Sequence, residues 1–344
     1  MSDIHIRVEG RAGRITLNRP DALNALTYDM VRQIEATLDD WRSADIDLVL
    51  MDAKGNRAFC SGGDISEMYA AGTAGDFEYG QRFWRDEYRL NAKIFEYPKP
   101  VVSFLQGYTM GGGVGVGCHG SHRIVGESSQ IAMPECGIGL VPDVGGSLML
   151  ALAPGHLGEY LGTTGFRMGT ADAIYAGFAD HFVPEADWAD TKAALVNTGK
   201  VEMIKPVVPD TGKLVERQRD IDSFFSGEAL GDIVRALKAS NSDFATNTLK
   251  SLHRNAPLAM ACCVQIVRRL RSATSIRQAL DQEYRYTHRS MAQGDFIEGI
   301  RAAIIDKDRN PKWAHSAPDK VPDIEVTNML LPLGEDSLSW EEMP

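Results

Sequence analysis

Two carboxylates, Glu135 and Asp143, stand close together in Met133-Pro134-Glu135-Cys136-Gly137-Ile138-Gly139-Leu140-Val141-Pro142-Asp143-Val144-Gly145-Gly146. A carboxylate can act as nucleophile, base or acid. Two glycine-rich stretches precede them: Phe59-Cys60-Ser61-Gly62-Gly63-Asp64, and Gly107-Tyr108-Thr109-Met110-Gly111-Gly112-Gly113-Val114-Gly115-Val116-Gly117. Glycine turns let backbone N–H groups approach a substrate oxygen. One N–H from each stretch would make an oxyanion hole for a thioester or ester carbonyl. Carboxylates and donors together point to acyl chemistry.

Each motif also has a plainer reading. Asp64 suits the start of a helix, where its charge offsets the dipole. Asp143, between Pro142 and Gly145-Gly146, suits a turn or a helix N-cap equally well. Glu135, between Pro134 and Gly137, belongs to a turn and not to a regular helix face. Gly115-x-Gly117-x-x-Gly120 matches a dinucleotide fingerprint, but no clean βαβ unit surrounds it. His119 and His122 could share a face, but no third metal ligand is evident and local packing is favoured. No base is identifiable beside any of the cysteines, so a catalytic thiol is disfavoured.

The elements that must position these residues follow from hydrophobic period. Two apolar runs around Gly10 and Gly13 predict a hairpin over residues 4–17. Val31, Ile34, Leu38 and Trp41 recur at helical spacing and predict a helix over 28–43. Residues 47–51 and 101–105 read as buried strands, with a long helix over 77–96 between them. Strands alternating with helices imply an α/β core to about residue 184. The pattern predicts a core over 1–196, a connection over 197–225 containing Pro206 and Pro209, and a helical region over 226–313. Phe296, Ile300 and Ile304 mark one buried face of that region. Residues 314–344 read as an extended, partly mobile tail.

The 344 residues can bury a large core. A net charge of −11 argues against a general nucleic-acid or anionic-membrane surface. No apolar run reaches the length of a membrane span. The start of the chain lacks the features of a secretory or organelle signal. An odd set of five cysteines without framework spacing suits a reducing compartment, so the expectation is a cytoplasmic protein.

The motifs in this order resemble the crotonase (enoyl-CoA hydratase/isomerase) superfamily. Asn18-Arg19-Pro20 with Ala22-Leu23-Asn24-Ala25-Leu26, then Phe59 to Asp64, then Gly111-Gly112-Gly113 carry the resemblance. Arg85-Asp86-Glu87-Tyr88, Met133-Pro134-Glu135, Pro142 to Gly146, Glu283-Tyr284-Arg285, Asp295 to Gly299 and Pro311-Lys312-Trp313 place it nearest the thioester hydrolases of that superfamily. The resemblance implies an α/β fold of the crotonase (ClpP/crotonase-like) type, a spiral of β-β-α units with a helical C-terminal region. It implies oxyanion donors at the N–H groups of Gly63 and Gly112, Glu135 as principal catalytic carboxylate and Asp143 as its partner. It implies substrate contacts from Glu87, Ser61, Gly62, Ala25 and Gly111, with Glu87 facing the polar acyl group. The substrate implied is a short 3-hydroxyacyl-CoA. No cofactor or metal is implied, and coenzyme A enters as part of the substrate. A homo-oligomer through the C-terminal helices is allowed.

One departure separates the chain from the hydratases. They use a glutamate two residues past the glycine triplet, and that position here is Gly115. A double-bond isomerase needs only one carboxylate, so it stays an alternative beside the hydratase. An acyl-CoA-binding relative without turnover is the third reading.

Overall fold

Apolar runs broken by glycine and proline give nine strands among the described residues, which are 2–340 of the computed structural model. β1 (Ile4–Glu9) and β2 (Ala12–Leu17) form the predicted antiparallel hairpin, with Gly10 left-handed at its turn. The remaining strands are β3 (Leu48–Ala53), β4 (Ala58–Cys60), β5 (Val101–Phe104), β6 (Tyr108–Met110), β7 (His122–Val125), β8 (Gln130–Ala132) and β9 (His181–Phe182). A six-stranded sheet runs β1-β2-β3-β5-β7-β9, parallel after the hairpin, and a three-stranded parallel sheet runs β4-β6-β8. Thus β3-β4, β5-β6 and β7-β8 each send one strand to each sheet. This stepwise repetition is what the expected spiral of β-β-α units requires. Leu48 to Met51 and Val101 to Phe104 are buried throughout, as parallel strands require.

These strands belong to one of two compact units, built from the chain up to Asp64, Arg89–Ala132 and Arg167–Val215. Its core joins Ala12, Leu48, Leu50, Val102, Phe104 and Ile124 to Trp188 and Leu195. The helix Tyr28–Arg42 starts at Thr27, whose side chain accepts from the Met30 N–H, and buries Val31, Ile34, Leu38 and Trp41 as their spacing predicts. Glu35 on it is buried against Arg89 at 3.0 Å and Lys93 at 3.5 Å.

The second unit holds Ile65–Tyr88, Met133–Phe166 and the chain from Glu216 onward, and is helical. Helix Pro257–Arg269 opens with proline at its first turn and is buried continuously from Pro257 to Val264. Helix Ile276–Gln293 is capped by Ser275, whose side chain accepts from the Arg277 N–H.

Three details depart from the sequence expectations. Within the stretch read as a connection, Lys213–Phe225 is a helix burying Leu214, Ile221 and Phe225. Phe296 and Ile300 are buried, but Ile304 is exposed, because Arg301–Ile305 winds as a π-helix and rotates it off the common face. Within the expected tail, Asp323–Met329 is helical, and Arg285 and Arg289 donate to the carbonyls of Met329, Leu330 and Leu331. The Trp340 indole N–H donates to Asp281 at 3.1 Å. Residues 341–344 of that tail lie outside the described residues.

Candidate active site

Two glycine turns are brought side by side in the first unit. After β4 the chain passes Ser61 to Gly62, whose φ of +118° only glycine adopts readily. A loop from Pro20 to Leu26 holds this turn. Leu23 and Asn24 are left-handed, and the buried Asn24 amide donates to the carbonyls of Lys54 and Ala58 at 3.0 and 2.9 Å. The Ser61 N–H donates to Leu23, the Leu26 N–H to Gly62 and the Asp64 N–H to Leu26. Ala25, between them, accepts from Arg19 at 2.6 Å. The second turn leaves β6 through Gly111, at φ +53° and ψ −122°, and opens the short helix Gly112–Gly117.

The two turns pack too closely for side chains. A Cβ on Gly62 would lie 3.3 Å from the Met110 oxygen and 4.0 Å from the Gly112 nitrogen. A Cβ on Gly113 would lie 2.3 Å from the Cys60 carbonyl oxygen. Among the described residues the N–H groups of Gly63 and Gly112 donate to no loop or turn carbonyl. Both stay available as donors from adjacent turns. Gly113→Ala forces the helix off Cys60, and overpacking of this kind costs about 1–3 kcal/mol. The expected result is a lowered Tm and a larger loss of activity than of folded protein, read by thermal melting beside turnover.

The carboxylates gather in the second unit. Glu135 opens a 3-10 turn, Glu135–Ile138, that ends at left-handed Gly139. A Cβ on Gly139 would lie 2.5 Å from the Asp295 carbonyl carbon, and its own carbonyl accepts from the Tyr286 hydroxyl at 3.0 Å. Asp143 is followed by two left-handed residues, Val144 at φ +54° and Gly145 at φ +80°. It accepts from the Tyr88 hydroxyl at 2.8 Å. Glu87, beside Tyr88 on the helix Glu78–Phe95, completes the set. All three carboxyls are at most 5 % exposed, so water cannot satisfy them freely. Glu87 Oε1 and Glu135 Oε2 have no hydrogen-bond partner.

Burial raises all three carboxyls, and the charge of Asp143 raises Glu87 and Glu135 further, both well above the usual carboxylate range. Asp143 is pushed up to about 7 by burial, against the lowering effect of the Tyr88 hydrogen bond. Glu283 is pushed up to about 8, again by burial, while Ser147 lowers it and Asp143 raises it. The Tyr88 hydroxyl is itself raised by burial and by Asp143, which keeps it protonated as a donor. All four carboxyls therefore hold their protons to higher pH than ordinary carboxylates do, and Asp143 gains an opposing stabilisation of its charge from the Tyr88 hydroxyl.

The expected site residues thus fall into two organised sets: Ala25, Ser61, Gly62, Gly63, Gly111 and Gly112 in the first unit, and Glu87, Glu135 and Asp143 in the second. Gly115 is buried in the glycine helix and supplies no second carboxylate there. A Cβ on Gly117 would strike Phe59 and Leu105, and one on Gly120 would strike Val101, so close packing accounts for these glycines. His119 packs on Phe95 whereas His122 faces His181. All five cysteines are buried, and burial raises the thiols of Cys118, Cys136 and Cys262. Tyr88, which bonds Asp143, and Glu283, which bonds the turn after it, were not singled out as site residues from the sequence. Both sit in motifs that carry the family resemblance, Arg85 to Tyr88 and Glu283 to Arg285, and that was their only signal.

A family model described as enoyl-CoA hydratase/isomerase matches residues 12–330. The chain belongs to this family and has the crotonase fold. Curated relatives narrow the likeness. The 3-hydroxyisobutyryl-CoA hydrolase, mitochondrial, of Gallus gallus is 37% identical, covering 98% of this chain and 91% of its own. The protein of the same name from Danio rerio is 38% identical, covering 92% and 86%, and that from Homo sapiens 36%, covering 98% and 91%. Among solved structures, an enoyl-CoA hydratase from Rhodobacter sphaeroides 2.4.1 is 54% identical with a TM-score of 0.96, covering 98% and 100%. A carnitinyl-CoA dehydratase from Mycobacterium thermoresistibile is 38% identical with a TM-score of 0.95, covering both chains fully.

Proposed function

We propose that the protein hydrolyses the thioester of a short 3-hydroxyacyl-CoA, with 3-hydroxyisobutyryl-CoA giving 3-hydroxyisobutyrate and coenzyme A, a step of valine breakdown. The curated hydrolase relatives support this over nearly the full chain. One observation carries it against the hydratase names of the solved structures. The position of the hydratases' second glutamate is Gly115, while a second buried carboxylate, Asp143, is held by Tyr88 on another loop.

In this reading the thioester oxygen takes the N–H groups of Gly63 and Gly112, with Gly62, Gly111, Ser61 and Ala25 shaping the approach. Each such donor lowers the barrier by roughly 3–4 kcal/mol. Either the Glu135 carboxylate attacks the carbonyl carbon, or it removes a proton from an attacking water with Asp143 as partner. In the first route the C–S bond breaks to leave a mixed anhydride and coenzyme A thiolate, which takes a proton, and water then cleaves the anhydride. In the second, water adds directly and the same thiolate leaves. Hydroxylamine separates the routes, since only an anhydride yields a Glu135 hydroxamate in peptide mass spectra. The chemistry uses no further cofactor.

The deciding experiment is mass spectrometry of products from 3-hydroxyisobutyryl-CoA and from crotonyl-CoA. Free coenzyme A from the first substrate alone supports the hydrolase. A hydrated product from crotonyl-CoA without free coenzyme A overturns it in favour of a hydratase. Two predictions accompany it. Glu135 must be ionised to attack or to take a proton, and burial and Asp143 hold it well above the usual carboxylate range, so kcat/KM falls as the pH is lowered through neutrality, about tenfold per pH unit at the limit. The unpartnered Glu87 Oε1 receives the substrate β-hydroxyl, so Glu87→Ala lowers the preference for 3-hydroxyisobutyryl-CoA over isobutyryl-CoA by about 10- to 100-fold in kcat/KM.

No helix among the described residues is long and apolar enough to cross a membrane. The relatives are described as mitochondrial, which does not favour the cytoplasmic expectation. Cell fractionation decides the compartment. A homo-oligomer through the C-terminal helices stays part of this proposal, and sedimentation equilibrium tests it.

A further inference from the structure

The turn that carries Asp143 is conformationally expensive. Val144 is β-branched yet left-handed, a backbone state such residues rarely adopt, and Gly145 follows in the same region. Gly145 takes this conformation without cost, but a left-handed valine persists only where the surroundings over-determine it. One buried side chain far away in sequence bonds this turn at two residues. Glu283, fully buried on the helix Ile276–Gln293, accepts the Gly145 N–H at 2.9 Å, the Ser147 N–H at 3.1 Å and the Ser147 hydroxyl. One helical turn further on, Thr287 Oγ1 lies 3.4 Å from the Tyr88 hydroxyl that donates to Asp143. The same helix face thus restrains both the backbone after Asp143 and the donor to its carboxylate.

We propose that Glu283 is the positioning residue for Asp143, holding the left-handed Val144–Gly145 turn through Gly145 and Ser147 so that the Asp143 carboxylate is fixed against Tyr88. Glu283 itself touches no substrate. The inference rests on the hydrolase reading only in treating Asp143 as the partner carboxylate. In Glu283→Gln one acceptor oxygen becomes an NH2 group that opposes the N–H or hydroxyl donor it formerly bonded. The turn then relaxes and Asp143 is misplaced. Displacement on the order of 1 Å at a reacting group costs up to about 100-fold in rate.

The test compares wild-type, E283Q and S147A proteins with 3-hydroxyisobutyryl-CoA, beside crystal structures of the wild type and E283Q. The expected result is a loss of kcat of about 10- to 100-fold in E283Q with KM within about twofold. S147A, which deletes one donor only, gives a smaller loss of the same kind and serves if E283Q does not fold. The E283Q structure then shows the Tyr88–Asp143 bond lengthened or broken. A folded E283Q with wild-type kcat and an unmoved Asp143 overturns the proposal, as does a loss of kcat that only tracks loss of folded protein. Failure of the wild type to release coenzyme A overturns the hydrolase reading instead. The position of Asp143 in the two crystal structures then decides the role of Glu283 without any activity.

Discussion

Glu135→Gln is expected to lose at least about 10³-fold in kcat while KM changes little and the protein stays folded. Glutamine preserves the shape of the side chain, and the 3-10 turn that presents residue 135 depends on Pro134, Gly137 and Gly139, not on the carboxyl charge. What is removed is the ability to hold a negative charge or accept a proton. Both routes to the product need that ability, as attacking carboxylate or as base. In the proposed mechanism the thioester still meets the donors of Gly63 and Gly112, so binding persists and the loss falls on kcat. The same variant separates catalysis from mere binding. A protein that only binds acyl-CoA would show unchanged binding and no turnover to lose. A residual rate close to wild type would remove Glu135 from the chemistry altogether. Steady-state kinetics with binding measured by calorimetry reads both quantities.

The candidate site was legible wherever it is local in sequence. A glycine whose φ is positive, or whose Cβ would strike a carbonyl, must be a glycine, so Gly62, Gly111 and Gly113 announce their turns within a few residues. Glu135 and Asp143 lie in one short stretch whose prolines and glycines exclude a regular helix. The hydrogen-bond partners of Asp143 and of the turn after it are remote. Tyr88 reaches Asp143 across 55 residues and Glu283 reaches Ser147 across 136. Nothing in a hydrophobic period reports such a pairing, because it depends on which helix faces pack. The helix Lys213–Phe225 was hidden for a related reason. Its buried residues, Leu214, Ile221 and Phe225, are sparse among charges, and prolines precede it. Ile304 misled because a π-helix breaks the 3.6-residue period on which its placement relied.

Replacing Asp143 with asparagine should lower kcat by about 10²-fold or more and at the same time stabilise the fold at alkaline pH. The activity term follows from the loss of the ionised partner carboxylate. The stability term follows from burial. An ordinary aspartate titrates near 3.9 in the unfolded chain, whereas Asp143 is pushed up to about 7 in the fold. Glu283 at about 8, together with Glu87 and Glu135 raised well above the ordinary range, adds to the same effect. The folded state binds these protons more tightly than the unfolded state. Its advantage is therefore complete below about pH 4 and is lost as the pH rises through 7 to 8. Keeping Asp143 charged in the fold costs on the order of a few kcal/mol above that window. Asparagine still accepts from the Tyr88 hydroxyl but carries no charge, so it removes this cost. At pH 8 its Tm should exceed that of the wild type by a few degrees, and the difference should shrink towards pH 5. Equal Tm values at both pH values would mean that the charge is solvated or paired in solution. The raised carboxyls would then be no reserve of instability at all. A difference that grows with pH ties the cost of the buried charge to the same residue whose ionised form the reaction uses, so that catalytic competence and alkaline instability have one physical cause.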